Sequence, residues 1–404
     1  MNANEHGRER ILKALRGEAG ASIPVSPILF SNYVRKYFND PEADIVEKTA
    51  ELYVLLGADT IHRNCFPLLY FFVDAPGPVS ADWQVAITTE RQGEKTVWTT
   101  RIRTPGGDLG LVCDACPLSP YEQAYAYREV LIKESRDLEL VVQYEPRWTA
   151  ADLDLSPIQR AKQAVGTNGI VAPWAQGVFN FAALFYRNYE ELLMDPFVDA
   201  GFYAALMEHA LEQNWSYLEL LLDAGVDALA YGGNMAGGQM GPEFFARYVL
   251  PYERELIRRI HGKGGRVIYH NCGKASALFD LYKETGMDCF ESLAQPPEGD
   301  TDLRHDLPRL DGIPCLAGGI DQKSFLATAT PEEIRQAVQE LLSLMKSRNG
   351  YILSTVDYLA EETPLENIRA FVEAGRAYGV CSHELATRNQ GENARSDRGG
   401  LAHA

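Results

Sequence analysis

Arg266-Val-Ile-Tyr-His-Asn-Cys-Gly273 contains a short apolar run, Val267, Ile268 and Tyr269, of residues that favour β structure. Gly264 and Gly265 precede the run and Gly273 closes it. Such a run between glycines reads as a buried strand of a parallel sheet. Side chains alternate between the two faces of a strand, so His270 and Cys272 point the same way at its C-terminal end. An imidazole beside a thiol suits zinc, which accepts both nitrogen and sulfur ligands. The same two residues also read as a core histidine next to an ordinary buried cysteine, and His-x-Cys is too short a pattern to decide.

Outward from this strand the chain alternates between apolar strands and amphipathic helices. Downstream, residues 287–293, 314–317 and 351–355 read as strands, with helices near 275–285, 331–347 and 364–378. Thr330-Pro-Glu-Glu333 marks one helix start, with a threonine cap, proline in the first turn and acids beside the positive helix end. Upstream, 226–231 is a strand, and the glycine-rich loop 232–241 lacks the GxGxxG order of a dinucleotide site. A helix then runs from Pro242 to His261. Earlier strands are expected at 23–30, 59–62 and 169–172, and helices at 5–16, 45–56, 120–134, 155–166, 188–194 and 197–223. Strand, loop and helix repeated at this spacing mean a parallel sheet of the α/β class, and the number of short strands favours a closed TIM (β/α)8 barrel. Function then belongs at the C-terminal ends of the strands, where His270 and Cys272 lie.

Residues 83–112 break this rhythm. Two Thr-, Val- and Trp-rich runs joined at Gln92-Gly93 predict a β-hairpin inserted into the barrel. Cys113-Asp-Ala-Cys116 follows as an expected loop, without the second CxxC that a structural zinc site would need. Residues 1–383 are read as a single barrel domain and the polar stretch 384–404 as a disordered tail.

Composition excludes several classes of function. The chain has 404 residues, 23% of them charged, and a net charge of −18. That charge opposes binding to nucleic acid or to an anionic membrane, both of which need a basic face. No apolar run reaches transmembrane length and the N-terminus has no signal core, so a cytoplasmic protein is expected. Seven cysteines, an odd number spread over a long chain, argue against a disulfide framework.

Several motifs resemble the uroporphyrinogen decarboxylase superfamily. They are Tyr269-His-Asn-Cys-Gly-Lys274, Gly318-Gly-Ile-Asp321, Gly350-Tyr-Ile-Leu-Ser354 and Thr363-Pro-Leu-Glu-Asn-Ile368, supported by Val226-Asp-Ala, Gly241-Pro-Glu-Phe-Phe and Leu250-Pro-Tyr252. The resemblance is strongest over 196–379 and implies a TIM barrel. True decarboxylases of the superfamily carry an arginine-rich N-terminal motif, whereas residues 20–40 here hold only Arg35, and Asp357 stands where that branch has a late histidine. The chain is nearer to the zinc-dependent, corrinoid-linked branch of coenzyme M methyltransferases and O-demethylase components. In that branch a His-x-Cys pair and a later cysteine hold zinc. The pair corresponds to His270 and Cys272, and Asp357 stands at the later position. Aspartate is a harder but competent zinc ligand, and an oxygen-rich shell suits an ether oxygen better than a thiolate.

The resemblance therefore implies a methyltransferase. It would move a methyl group between a small O-methyl substrate, aromatic ones included, or a thiol, and a corrinoid (cobalamin) carried by a partner protein. Expected metal ligands are His270, Cys272, Asp357 and Glu291, with Asp357 and Glu291 also in catalytic roles and Cys315 in reserve. Asp59, His62, Trp174, Phe179 and Asp321 are expected around the pocket, although Asp321 suits a helix cap equally well. The aromatic loops, with Phe66, Tyr70, Phe71, Phe72 and Phe181 besides, read either as pocket wall or as core. The competing readings are a metal-free decarboxylase and a non-catalytic barrel that binds a tetrapyrrole or corrinoid.

Overall fold

The structure, a computed structural model, describes residues 5–66, 73 and 75–380. The expected tail and the aromatic residues Tyr70, Phe71 and Phe72 lie outside the described residues. Twelve strands are named among those described: β1 (Thr60–His62), β2 (Gln84–Gln92), β3 (Lys95–Thr104), β4 (Gly107–Pro117), β5 (Gln123–Glu129), β6 (Gly169–Val171), β7 (Trp174–Gln176), β8 (Leu229–Gly232), β9 (Val267–His270), β10 (Cys289–Ser292), β11 (Cys315–Ile320) and β12 (Tyr351–Thr355).

Strands β7 to β12 pair in parallel, each with the next. The segment 24–26 closes the ring: Ser26 N–H donates to Leu353 O, Leu353 N–H to Pro24 O, and Asp59 N–H to Val25 O. β1 then pairs in parallel with β6. Pro173 separates β6 from β7, because proline brings no N–H to a ladder. Bonds from Ala172 N–H to His62 O and from Ala230 N–H to Pro173 O carry the sheet across that break. The result is the eight-stranded parallel barrel that the alternating pattern predicts.

Side-chain alternation fills the barrel in layers. Ile61, Ile170, Ala228, Ile268, Cys289, Cys315 and Ile352 form a lower apolar layer, closed from below by Ile11, Ala14 and Leu15 of the helix Gly7–Leu15. Two residues further along their strands, Arg63, His270 and Glu291 form a polar level at the C-terminal ends. That step from an apolar floor to a polar top positions the site.

The insertion is larger than the predicted hairpin. β2 and β3 match it, but β4 and β5 extend it to a four-stranded antiparallel sheet. Residues 123–129, expected as helix, are strand β5, in which Tyr125 stacks on Trp98 across the sheet. Alanines at 124 and 126 imitate helix, but the tyrosines between them alternate with period two, and cross-strand stacking wins. Cys113 and Cys116 lie within β4 rather than in a loop. Three residues apart on a strand, they face opposite ways. Among the described residues no helix is long and apolar enough to cross a membrane.

The helix Leu250–Gly262 turns Glu253 into the core, where it is fully buried. Its carboxylate accepts from the Tyr231 hydroxyl and, at 3.3 Å, from Phe179 N–H. Burial pushes this carboxyl from 4.5 up to about 7, against the pull of those hydrogen bonds. A folded-state value raised above the unfolded one stabilises fully below pH 4.5, and that stability is lost as the pH rises through about 7. The unfolding free energy should therefore fall by about 3 kcal/mol from pH 4.5 to 8 through this group alone. Urea titrations across that range should show the slope in the native chain and its loss in Glu253→Gln. Equal slopes in both would sink the assignment.

Candidate metal centre

β9 ends at His270, and Cys272, two residues on, keeps its donor atom on the same side as the imidazole. Asp357 arrives from the loop after β12, on the far side of the ring. One donor atom each from His270, Cys272 and Asp357 lie within 4.8 Å of one another. His270 Nε2 stands 3.6 Å from Asp357 Oδ1. Ligands around a tetrahedral zinc at about 2.0–2.3 Å are spaced by about 3.3–3.8 Å, so the donor set and the His270–Asp357 spacing fit zinc, with Cys272 close enough to complete the group.

The other ring nitrogen fixes the imidazole. His270 Nδ1 donates to Glu291 Oε2 at 2.9 Å, which leaves Nε2 facing Asp357 and Cys272. Burial alone would lower the pKa of His270. Hydrogen bonds with Cys272 and Glu291, and the charge of Asp357, outweigh it and raise the group to about 10.

Glu291 is not one of the ligand cluster, contrary to expectation. Its Oε1 accepts from Arg63 Nη2 at 2.5 Å and its Oε2 from Arg63 Nη1 at 3.0 Å, besides His270. Both partners are 1% exposed. Burial would raise the Glu291 carboxyl, but the adjacent Arg63 charge and the His270 bond bring it to about 2. It stands behind His270, not beside Cys272. Cys315, the reserve ligand, lies in the lower apolar layer opposite Cys289.

Four of the five expected pocket residues sit elsewhere. Asp59 precedes β1 at the opposite end of the barrel, where it accepts from Val25 N–H and pairs with Arg10 and Arg376. His62 points outward, its Nε2 on Val46 O at 2.7 Å, because Ile61 and Arg63 take the inward positions. Phe179 is fully buried against Tyr189 and Phe244, and Phe181 against Phe185. Asp321 caps a turn, accepting from Lys323 N–H and Ser324 N–H at 2.7 and 2.8 Å. Trp174 alone faces the cluster, its ring 5.4 Å from the His270 ring.

The cavity over the cluster measures about 180 Å³. Ile28, Phe30, Trp174, Leu184 and Tyr358 give it apolar walls, and Gln176 and Asn234 add neutral amides. Phe30 lies 5.4 Å from Tyr358 and 6.4 Å, edge-on, from Trp174. The described lining contains no Lys or Arg. Sequence reading missed Arg63, Phe30 and Tyr358. A signal existed for each: Arg63 is two residues beyond the inward Ile61, Phe30 ends the predicted first strand, and Tyr358 follows Asp357.

Residues 127–378 match the family described as Uroporphyrinogen decarboxylase (URO-D), which is more than half of the chain. The chain belongs to that family. Among its relatives is the methylcobamide:CoM methyltransferase MtbA of Methanosarcina acetivorans, 21% identical over 61% of this chain and 70% of the relative. A uroporphyrinogen decarboxylase of Thermus thermophilus is 30% identical over 42% of this chain and 46% of its own. The methylated-thiol–coenzyme M methyltransferase of Methanosarcina mazei is 25% identical over 45% of this chain, and the match spans 51% of that protein. A solved structure, a methyltransferase from Methanosarcina mazei, superposes with a TM-score of 0.65 at 14% identity, covering 92% of this chain and 99% of that one. The shared fold is a barrel of this URO-D type. Its relatives bear two kinds of name, methyltransferase and decarboxylase, so the choice of chemistry rests on the site.

Proposed function

We propose that this URO-D family member is a zinc-dependent methyltransferase that passes a methyl group between a small, uncharged methyl ether and a corrinoid held by a separate protein. One observation carries the reading: His270, Cys272 and Asp357 converge under a small aromatic-walled cavity. Relatives named as methylcobamide and methylated-thiol methyltransferases support it.

His270, Cys272 and Asp357 would hold the ion, and zinc when bound supplies a Lewis acid for the leaving oxygen. The remaining work belongs to the chain. Phe30, Trp174 and Tyr358 hold an apolar or aromatic body beside the cluster, and Gln176 and Asn234 offer hydrogen bonds to its edge. The methyl carbon passes to cobalt(I), which supplies the electron pair of the new bond. The C–O bond breaks with its electrons left on oxygen, and the alkoxide or phenoxide takes a proton from water.

The cavity favours an ether over an anionic thiol such as coenzyme M, because no cation in the described lining would meet a sulfonate. The same feature weighs against decarboxylation of a polycarboxylate tetrapyrrole. So does the volume of about 180 Å³, below the range of about 300–1,000 Å³ that drug-sized ligands occupy.

The deciding test is metal content by mass spectrometry, followed by single-turnover mixing of methyl ethers with a cobalt(I) corrinoid protein, read at the methylcobalt absorbance. About one zinc per chain and turnover of ethers are expected. A chain that takes up no zinc after reconstitution would sink the reading. Trp174→Ala should raise KM for an aromatic ether up to about tenfold with zinc content unchanged, because one ring contact contributes about 0.5–1.5 kcal/mol.

A further inference from the structure

Arg63 has no obvious reason to be in the barrel. It follows β1, reaches into the interior above the apolar layer and is 1% exposed. Burying a guanidinium is costly, and an aliphatic side chain would fill such a core better. Its two terminal nitrogens both donate to Glu291, while its Nε has no partner. Its hydrogen bonding is therefore spent on one carboxylate.

That carboxylate needs restraint. Glu291 and His270 are register partners on adjacent strands, so Glu291 starts beside a metal ligand. A free carboxylate there would compete to become a fourth ligand. A site with four protein ligands is closed, whereas catalysis needs one open position. Arg63 occupies both oxygens and leaves Oε2 shared with His270 Nδ1.

We infer that Arg63 is a positioning residue: it clamps Glu291 behind His270, so that Glu291 orients the imidazole and the fourth metal position stays open to substrate. The inference rests on the metal-site reading above, and its test separates the two.

Cobalt(II) replaces zinc, and its visible spectrum reports coordination. In the native chain the spectrum should change on adding a small thiol such as 2-mercaptoethanol, which enters the open position. In Arg63→Leu, Glu291 is released to the metal and that response should disappear. Arg63→Lys, which keeps a charge but donates along one line, should give a partial response. Arg63→Leu/Glu291→Gln removes both charges together, so it remains foldable if the single variant is not. It should regain the thiol response while binding zinc about 10–100-fold more weakly in a chelator competition, through loss of the carboxylate behind His270. A thiol response in Arg63→Leu equal to the native one would overturn the clamp. So would a double variant that binds zinc as tightly as the native chain. A native chain that binds neither cobalt nor zinc overturns the metal site itself, and the clamp with it.

Discussion

His270→Ala and Cys272→Ser are each expected to abolish methyl transfer and to weaken zinc binding by more than the hundredfold that marks the loss of a supporting group. Ligand count sets the size of the effect. Among the described residues three side chains converge, so removing one leaves two, too few for a stable site. Cys272 supplies the one soft donor and His270 the one whose orientation is fixed from behind. Asp357 should behave differently. Its side chain is 23% exposed and already accepts from Tyr358 N–H at 2.7 Å, so it is the most weakly committed of the three. Asp357→Cys should retain zinc with a softer shell, and should shift the preference from ethers towards thiols. Isothermal titration with zinc, beside a single-turnover assay on each variant, separates these outcomes. Retention of full activity by Cys272→Ser would sink the metal reading. Loss of zinc by Asp357→Cys would show that the aspartate does more than occupy a ligand position.

Much of this site was legible from the run 266–273, for a physical reason. Strand alternation is a rigid rule, so the shared direction of His270 and Cys272 followed from their spacing. The same rule, carried to β1, would have turned Arg63 inward and His62 outward. In Thr60-Ile61-His62 the one apolar residue, Ile61, marks the core side, but a pattern of three residues, all of them buried, is too short to set against the other readings of the segment. Glu291, expected as a ligand at the end of its strand, lies there but is paired with Arg63 and His270 and stands outside the cluster of His270, Cys272 and Asp357. Its role depends on a partner 228 residues away across the barrel, which no local pattern reveals. The error over 123–129 has the opposite origin. There local propensity pointed to helix, and pairing with β4 overrode it.

Gly318→Ala should be the most destabilising small substitution near the site, by about 2–5 kcal/mol. Gly318 lies on β11 opposite Ser292, with φ at +115°. A Cβ there would meet Ser292 O at 2.0 Å and Ser292 C at 2.5 Å. Backbone cannot swing aside as a side chain can, so β10 itself would have to move. Its end is already strained: Ser292 has φ at +117° and Leu293 at +53°, regions that non-glycine residues seldom occupy. Positive-φ strain in the new alanine adds about 1–2 kcal/mol, and displacing packed backbone about 1–3 kcal/mol or more. Glu291 immediately precedes Ser292, so the shift would loosen both the Arg63 pair and the His270 hydrogen bond. Zinc affinity should therefore fall together with stability. Gly319→Ala is the control. Its φ is +100°, but its Cβ would crowd the end of the Leu341 side chain, at 2.9 Å, which can rotate away, and would meet the Tyr351 hydroxyl only at an ordinary 3.5 Å. It should cost about 1–2 kcal/mol and leave zinc affinity unchanged. Urea denaturation and chelator competition on the two variants measure both quantities. If Gly318→Ala proved no less stable than Gly319→Ala, the close approach of β10 and β11 would not be what holds Glu291 in place.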